Sequence, residues 1–361
     1  MRKYYTRACN FYYGKFSKDL VKKKQTLPLC GNQSISFDKI EIYKREGKNI
    51  SSRIIKIKEI KKLNINLRKK VLKDIKKIIA RRNYFNEPTI MGILNMTPDS
   101  FSDGGKFNSN NSALKRISSM THSGANIIDV GGESTRPGSK TVNPLIEWKR
   151  IEKVIKRFKK DYPKILLSVD TRKSYVMDKA LKFKTDIIND VSGFLYDPLS
   201  LSKVKNKNVW KVIHHMQGTP NTMQVKPRYQ NVLLDIYDFF DDQIKIKKNS
   251  KKFTKKIILD PGIGFGKNLK HNLMLISKIS LFHSLGFPVL IGTSRKRFIK
   301  EISGKFDTEE RLGGTLSSVL FSLLNGVQIF RVHNVEEIKQ GILVLNRLLE
   351  KWKRNILELM V

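Results

Sequence analysis

Between residues 89 and 351, short apolar runs alternate with amphipathic stretches, and nearly every apolar run ends in polar, glycine or charged residues. The runs fall at 89–97, 125–131, 164–170, 186–191, 209–216, 256–260, 288–293 and 326–332. Short apolar segments punctuated in this way predict buried strands. The stretches near 112–123, from Pro144, and over 173–183, 198–205, 232–246, 268–285, 308–325 and 335–351 predict helices. Pro144 stands where the first turn of a helix accepts it. Strand and helix alternate through the whole region, which spans the roughly 250 residues of an α/β (β/α)8, or TIM, barrel. An open doubly wound sheet would draw functional residues from only a few strands. Here every strand end contributes, from Asn95 through Asp170, Asn189, His214-His215 and Asp260 to Arg331. Chemistry gathered at the carboxyl ends of strands marks a parallel barrel enzyme.

Residues 1–86 stand outside this rhythm. The chain therefore reads as a small basic N-terminal extension or accessory domain followed by a barrel over 87–361. Alternation at 34–43 and 54–60 predicts short strands, and 67–81 reads as a basic helix; no chemical motif is found there. The chain of 361 residues is 40% apolar, enough for a substantial core. No apolar run reaches the ~18–20 residues needed to cross a bilayer, and no apolar segment follows the basic start, so neither membrane span nor secretory leader is expected. Only Cys9 and Cys30 are present, which fits a reducing cytoplasmic setting and argues against zinc or thiol chemistry.

The formal charge of +39 invites a nucleic-acid reading. About half of it, roughly +19, lies in residues 1–84. Most lysines fall on outward helix positions, as over 149–160, without a concentrated stripe or interleaved stacking aromatics. A solvated basic face is expected, and no specific nucleic-acid site.

In order, the segments MGILNMTPDSFSDGG (91–105), IIDVGGESTRPGS (127–139), SVDTRK (168–173), IINDVSG (187–193), HMQGTPNTMQ (215–224), ILDPGIGFGKN (258–268), GTSRKRF (292–298) and RVHNV (331–335) resemble dihydropteroate synthase. The resemblance spans about residues 88–350 and holds at every strand end. It implies condensation of a pterin diphosphate with 4-aminobenzoate in folate synthesis. A pterin presents an amidine-like edge of N–H donors, which buried acceptors complement; Asp170, Asn189 and Asp260 are the candidates, with Lys296 donating to the ring's acceptor side. Asn95, Arg136, Arg331 and His333 match the family's diphosphate positions, and Asn95 is also the expected oxygen ligand of Mg2+. Lys296, Arg331 and Asp170 are the expected catalytic residues, acting on a dissociative reaction that needs electrostatic stabilisation more than a strong base. Phe101, Thr135, Pro137 and Phe265 would wall the aminobenzoate pocket, on loops that also carry Asp99 and Asp103. Similar proteins pair through their last helices, so a homodimer is expected, with Gly313-Gly314-Thr315 permitting close helix approach.

Other signals are weaker. The stretch 262–267 follows a strand and opens a helix but matches neither a dinucleotide fingerprint nor a P-loop. His214 and His215 are adjacent on a strand and face opposite sides, so they cannot chelate together; one is expected in the core and one outward. Ile263 stands where many relatives carry Phe, and Arg297 where some have Ser; Arg297 is a candidate partner for the aminobenzoate carboxylate. A pterin-binding methyltransferase would share the Asp and Asn contacts but has no need of Arg136 or of the Arg331 and His333 pair. A noncatalytic scaffold, or an RNA binder built on 1–86, is the reading from a different class; the intact strand ends oppose the first.

Overall fold

The computed structural model describes residues 2–82, 84–97, 106–246, 253 and 255–351, without the side chains of 106–110. The extension holds strands β1 (Arg2–Tyr13), β2 (Leu27–Leu29), β3 (Asn32–Glu46) and β4 (Asn49–Lys56), with helices α1 (Gly14–Lys22) and α2 (Ile65–Ile79). The barrel follows as β5 (Thr89–Asn95), α3 (Lys106–His122), β6 (Ile127–Gly131), α4 (Pro144–Asp161), β7 (Leu166–Asp170), α5 (Ser174–Ala180), β8 (Ile187–Asp190) and α6 (Ser200–Val204). Its second half is β9 (Trp210–His214), α7 (Val232–Ile246), β10 (Ile257–Asp260), α8 (Leu269–Ser277), β11 (Leu290–Ile291), α9 (Arg297–Ser303), α10 (Leu312–Leu324), β12 (Ile329–Val332) and α11 (Val335–Lys351).

All eight strands from β5 to β12 lie in one parallel sheet, in the order β10-β9-β8-β7-β6-β5-β12-β11. A bridge between Leu259 and Val289 joins its two edges and closes the barrel. The side-chain period of two then sorts every strand. One set, including Ile90, Leu94, Ile128, Val130 and Ile188, packs against the helices. The other fills the barrel: Met91, Ile127, Ile187, Trp210, Ile258, Leu290 and Ile329 form an apolar floor, with Phe85 packed beneath Trp210. Further along the same strands the inward positions turn polar, at Asp129, Ser168, Asn189, His214, Asp260 and Arg331. The barrel is dry at its base and charged at its mouth.

The predicted strands and helices all appear with shifted ends, α3 and β3 starting before the predicted 112 and 34, and α9 is an addition. The predicted helix at 268–285 is α8 followed by a 3-10 segment, Ile279–Leu285, on which the extension rests through Ser280. In the extension, β1, α1 and β2 were not foreseen; their residues mix basic and aromatic side chains without clean alternation. The predicted strand at 54–60 ends at Lys56 and continues as a 3-10 turn, Ile57–Lys62, whose start is held by Glu59 accepting from the Lys56 N–H at 2.7 Å.

Antiparallel pairing places β1 and β4 on either side of β3. Leu67, Val71, Ile75 and Ile78, spaced three or four apart, give α2 one apolar face against this sheet, while Lys69, Lys73 and Lys76 point to solvent. The sheet is seated on the barrel's flank rather than hanging from it. Tyr5 packs edge-on against Tyr237 at 5.1 Å, and Ser280 donates to the Ala8 carbonyl at 2.9 Å. Arg7 and Lys278 share the Glu41 carboxylate at 2.7 and 3.3 Å. Among the described residues, no helix is long and apolar enough to cross a membrane.

Phe240, fully buried in α7 and edge-on to Phe282 at 5.5 Å, links the barrel wall to the segment on which the extension rests. Phe240→Ala should lower unfolding free energy by about 3–5 kcal/mol in urea titrations, the range for deleting a core aromatic ring.

Candidate active site

Strands β7, β8, β9, β10 and β12 deliver their last inward residues to one cleft. Register sets which residues meet: Gly131 pairs with Asp170, and Asp170 with Asn189. Asp170, Asn189, Asp260, Phe265, Lys296 and Arg331 line one cleft, with Thr135 at its rim and His214, Val191 and Ile263 in its wall. A larger cavity at the other end of the barrel, lined by Tyr13, Arg82, Phe85 and Gln328, receives none of the motif residues.

Arg331 is the centre of the cleft's charge. Its Nε donates to Asp129 Oδ2 at 2.7 Å and its Nη2 to Asp170 Oδ2 at 2.8 Å. The flanking carboxylates hold the guanidinium protonated. Burial and the nearby Asp129 carboxylate push the Asp170 carboxyl upward, against the pull of Arg331. Asp129 is fully buried; it also accepts from Ser168 Oγ at 2.6 Å and from Asn189 Nδ2 at 3.1 Å. The latter bond fixes the Asn189 amide with its nitrogen inward, which leaves its oxygen as an acceptor for a ligand.

Asp260 is pushed up to about 6 by burial, opposed by the Gly262 N–H bond at 2.8 Å and by Lys296. Lys296 is lowered to about 8 by burial and by Arg331, and its Nζ lies 4.1 Å from the centroid of the Phe265 ring. His333 is lowered to about 3 by burial and by Arg295, so it is neutral at physiological pH. Ser294 Oγ accepts from the His333 backbone N–H at 3.3 Å and lies 3.0 Å from Nδ1. That arrangement lets the serine hydroxyl donate to Nδ1, placing the ring hydrogen on Nε2.

Asn95 sits partly exposed at the end of β5. Arg136 and Pro137 are exposed in the loop after β6, outside the cleft lining, although the Arg136 charge is felt at His333. Arg297, at the first turn of α9, is largely exposed and pairs with Glu301 at 2.7 Å, which makes it a solvated helix start. Phe101, Asp99 and Asp103 lie outside the described residues. His214 and His215 point to opposite sides, but both are buried, a correction to the expectation of one outward ring. His214 donates Nδ1–H to the Val191 carbonyl at 3.0 Å and faces the cleft; His215 packs edge-on to Phe239 at 4.9 Å in the helix layer. The residues 262–267 form no nucleotide loop. Gly262, at φ +68°, turns so close to the His215 carbonyl that a Cβ would lie 2.0 Å from its oxygen.

Two groups had no assigned role from sequence. Asp129 is one, although its alternation with Ile127 and Gly131 marks it as inward-facing. The other is a buried ionic cluster below the 133–142 segment. There Glu133 accepts from Arg172 Nε at 2.9 Å and from the Val142 N–H at 2.7 Å, and Lys173 bridges Glu133 and Glu147. Opposite charges at neighbouring strand ends were the available signal.

Comparison with known proteins agrees with this geometry. The model of the pterin binding enzyme family matches residues 91–333. The chain is thus a pterin-binding barrel enzyme. It is 39% identical over 260 residues to the dihydropteroate synthase of Escherichia coli K12, covering 72% of this chain and 91% of that one. A Yersinia pestis dihydropteroate synthase solved as a sulfonamide drug complex superposes with a TM-score of 0.69 at 35% identity, over 73% of this chain and 95% of the other. One from Xanthomonas albilineans in complex with 7,8-dihydropteroate gives 0.66 at 31% identity, over 73% and 94%. The chain belongs to the dihydropteroate synthases, transferases of folate biosynthesis that condense 6-hydroxymethyl-7,8-dihydropterin diphosphate with 4-aminobenzoate. The family match excludes the four-stranded extension.

Asp129→Asn should lower stability by about 3 kcal/mol at neutral pH, because a buried guanidinium loses one of its two charge partners. An unchanged urea midpoint would show that Asp170 alone balances Arg331.

Proposed function

We propose that the cleft holds the pterin edge-on against Asp170, the Asn189 oxygen and Asp260, with the Lys296 ammonium donating to the ring's acceptor side. Convergence carries this reading: three acceptors and one ammonium from separate strand ends line a single cleft. An ionised Asp260 accepts two parallel N–H groups, and a ligand without them leaves buried acceptors unpaired. Arg331, Arg136 and the Nε2–H of neutral His333 receive the diphosphate. Arg331 suits this role because its fork is already oriented by Asp129 and Asp170.

The methylene–oxygen bond breaks as diphosphate departs with the bonding electrons. The resulting cation is delocalised over the pterin, and the negative charge of the Asp170 and Asp260 carboxylates stabilises it. The aniline nitrogen of 4-aminobenzoate then attacks the methylene carbon and loses a proton. Thr135 and Phe265 form the aminobenzoate wall, joined by Pro137 when the loop after β6 closes over diphosphate.

Asn95 offers a half-exposed amide oxygen at the mouth, the hard donor that Mg2+ prefers. Among the described residues no group of three or more His, Cys, Asp or Glu could hold a metal; Asn95 would hold the ion together with the substrate's diphosphate. When bound, the ion neutralises diphosphate charge.

Phe321, Leu343, Val344 and Leu348 leave an exposed apolar face on α10 and α11, which supports pairing with a second copy. Two free, buried thiols, Cys9 and Cys30, support a cytoplasmic location.

Incubation of the full chain with pterin diphosphate, 4-aminobenzoate and Mg2+ should yield dihydropteroate, and Lys296→Ala should lose about 10²–10³ in kcat/KM. Absence of product from the wild type overturns the assignment. Because only ionised Asp260 accepts both hydrogens, affinity for 7,8-dihydropteroate should be complete above about pH 7 and weaken as pH falls through 6, approaching about tenfold per unit. Calorimetric affinities that stay constant down to pH 5 contradict the role given to Asp260.

A further inference from the structure

We infer that Arg45, on the N-terminal sheet, is a positioning residue for the aminobenzoate wall of the active site. The inference rests on reading Phe265 as part of that wall. Arg45 lies one residue before the end of β3, in the hairpin that turns at Gly47, and its guanidinium reaches across to the barrel. Nη1 donates to Asp235 Oδ1 at 2.7 Å and to Asp238 Oδ2 at 3.4 Å, and Nη2 donates to Gln230 Oε1. Gln230 returns a bond from Nε2 to the Gly47 carbonyl at 3.2 Å, so the hairpin grips it from two sides. Asp235 carries the grip into the chain before α7, where Oδ2 accepts from the Gln230 and Asn231 N–H groups at 2.8 and 3.1 Å.

Tyr229 is the next residue toward the active site. Its hydroxyl donates to the Gly266 carbonyl at 2.8 Å, and its ring meets His271 edge-on at 5.0 Å. On the same segment, Gln224 Nε2 donates to the Gly264 carbonyl at 2.6 Å. The backbone on both sides of Phe265 is therefore held by the segment before α7. Phe265 in turn meets His214 edge-on at 4.6 Å and lies under Lys296 Nζ. A continuous path of hydrogen bonds and covalent backbone runs from the extension to the cleft. It bears on the side where Phe265 stands and not on the Asp129, Asp170 and Arg331 network.

A brace of this kind makes a specific demand on kinetics. Arg45→Ala in the full chain should raise KM for 4-aminobenzoate about tenfold while KM for the pterin diphosphate stays within about twofold; angstrom-scale misplacement by a distant residue can cost up to about a hundredfold. Tyr229→Phe, which deletes only the hydroxyl on Gly266, should reproduce the selective rise. Arg45→Lys keeps a charge beside Asp235 but lacks the fork, and should fall between wild type and Arg45→Ala. Arg2→Ala, which removes the exposed pair with Glu46 on the same sheet, should alter neither KM. Equal changes in both KM values, or none, overturn the inference. Should Arg45→Ala fail to fold, Tyr229→Phe decides alone: a selective rise supports the path and unchanged constants refute it. Phe265→Ala separates the two levels. If it leaves the aminobenzoate KM unchanged, the wall assignment falls and the brace with it. If it raises that KM while Arg45→Ala is silent, only the brace is lost.

Discussion

A guanidinium cannot stay inside a barrel unless carboxylates meet it there, and the pairing of Arg331 with Asp129 and Asp170 is the interaction on which the active site depends. The three residues sit on β12, β6 and β7, far apart in sequence, and they meet only if the sheet closes in its present register. A slip of one residue on any of these strands would turn the charged side chain into the apolar layer beneath the helices. Asp129 also orients Ser168 and Asn189, so one fully buried carboxylate sets both the Arg331 fork and the Asn189 amide. Barrel closure and site assembly are one constraint.

The gradient within the barrel supplies the electrostatics. The apolar floor around Trp210 and Ile258 excludes water from below, and the groups above it are shifted by desolvation as much as by their neighbours. With Asp260 near 6, Lys296 near 8 and His333 near 3, neutral pH provides an ionised acceptor, a largely protonated donor and an uncharged imidazole. Those states match a reaction in which hydrogen bonds select the ring and fixed charge stabilises what departs. The buried cluster of Glu133, Glu147, Arg172 and Lys173 serves the adjacent loop, since it ties the chain that carries Thr135 and Arg136 to the end of β7.

The extension acquires meaning from its position. Its hairpin reaches the segment before α7, and its first strand rests on the 3-10 turn after α8. A basic surface remains, the solvent face of α2 included, but among the residues that touch the barrel are Lys3, Tyr5, Arg7 and Arg45, matched to Asp238, Tyr237, Ser280 and Asp235. Basic character here serves docking as well as solvation.

Much was legible without coordinates. Apolar runs ending in Asn95, Asp170, Asn189 and Asp260 identified strands, their order and the end that bears chemistry, because burial on both faces leaves an unbroken apolar run and a parallel barrel exposes only one useful rim. The family motifs supplied the roles that spacing alone leaves open. Other features were hidden for a common reason. Asp129 reads as one more polar residue in a motif until Arg331 lies 2.7 Å away, and the hydrophobic pattern of residues 2–13 is blurred because that strand contacts both α2 and the barrel. Both histidines of the 214–215 pair are buried because helices cover the outside of β9, a fact that strand alternation cannot supply. Sequence by itself determined which residues of the barrel form strands and which of them face inward, since those follow from local period. Which charges pair, and what the extension touches, was decided only by tertiary structure, because those contacts join residues far apart along the chain.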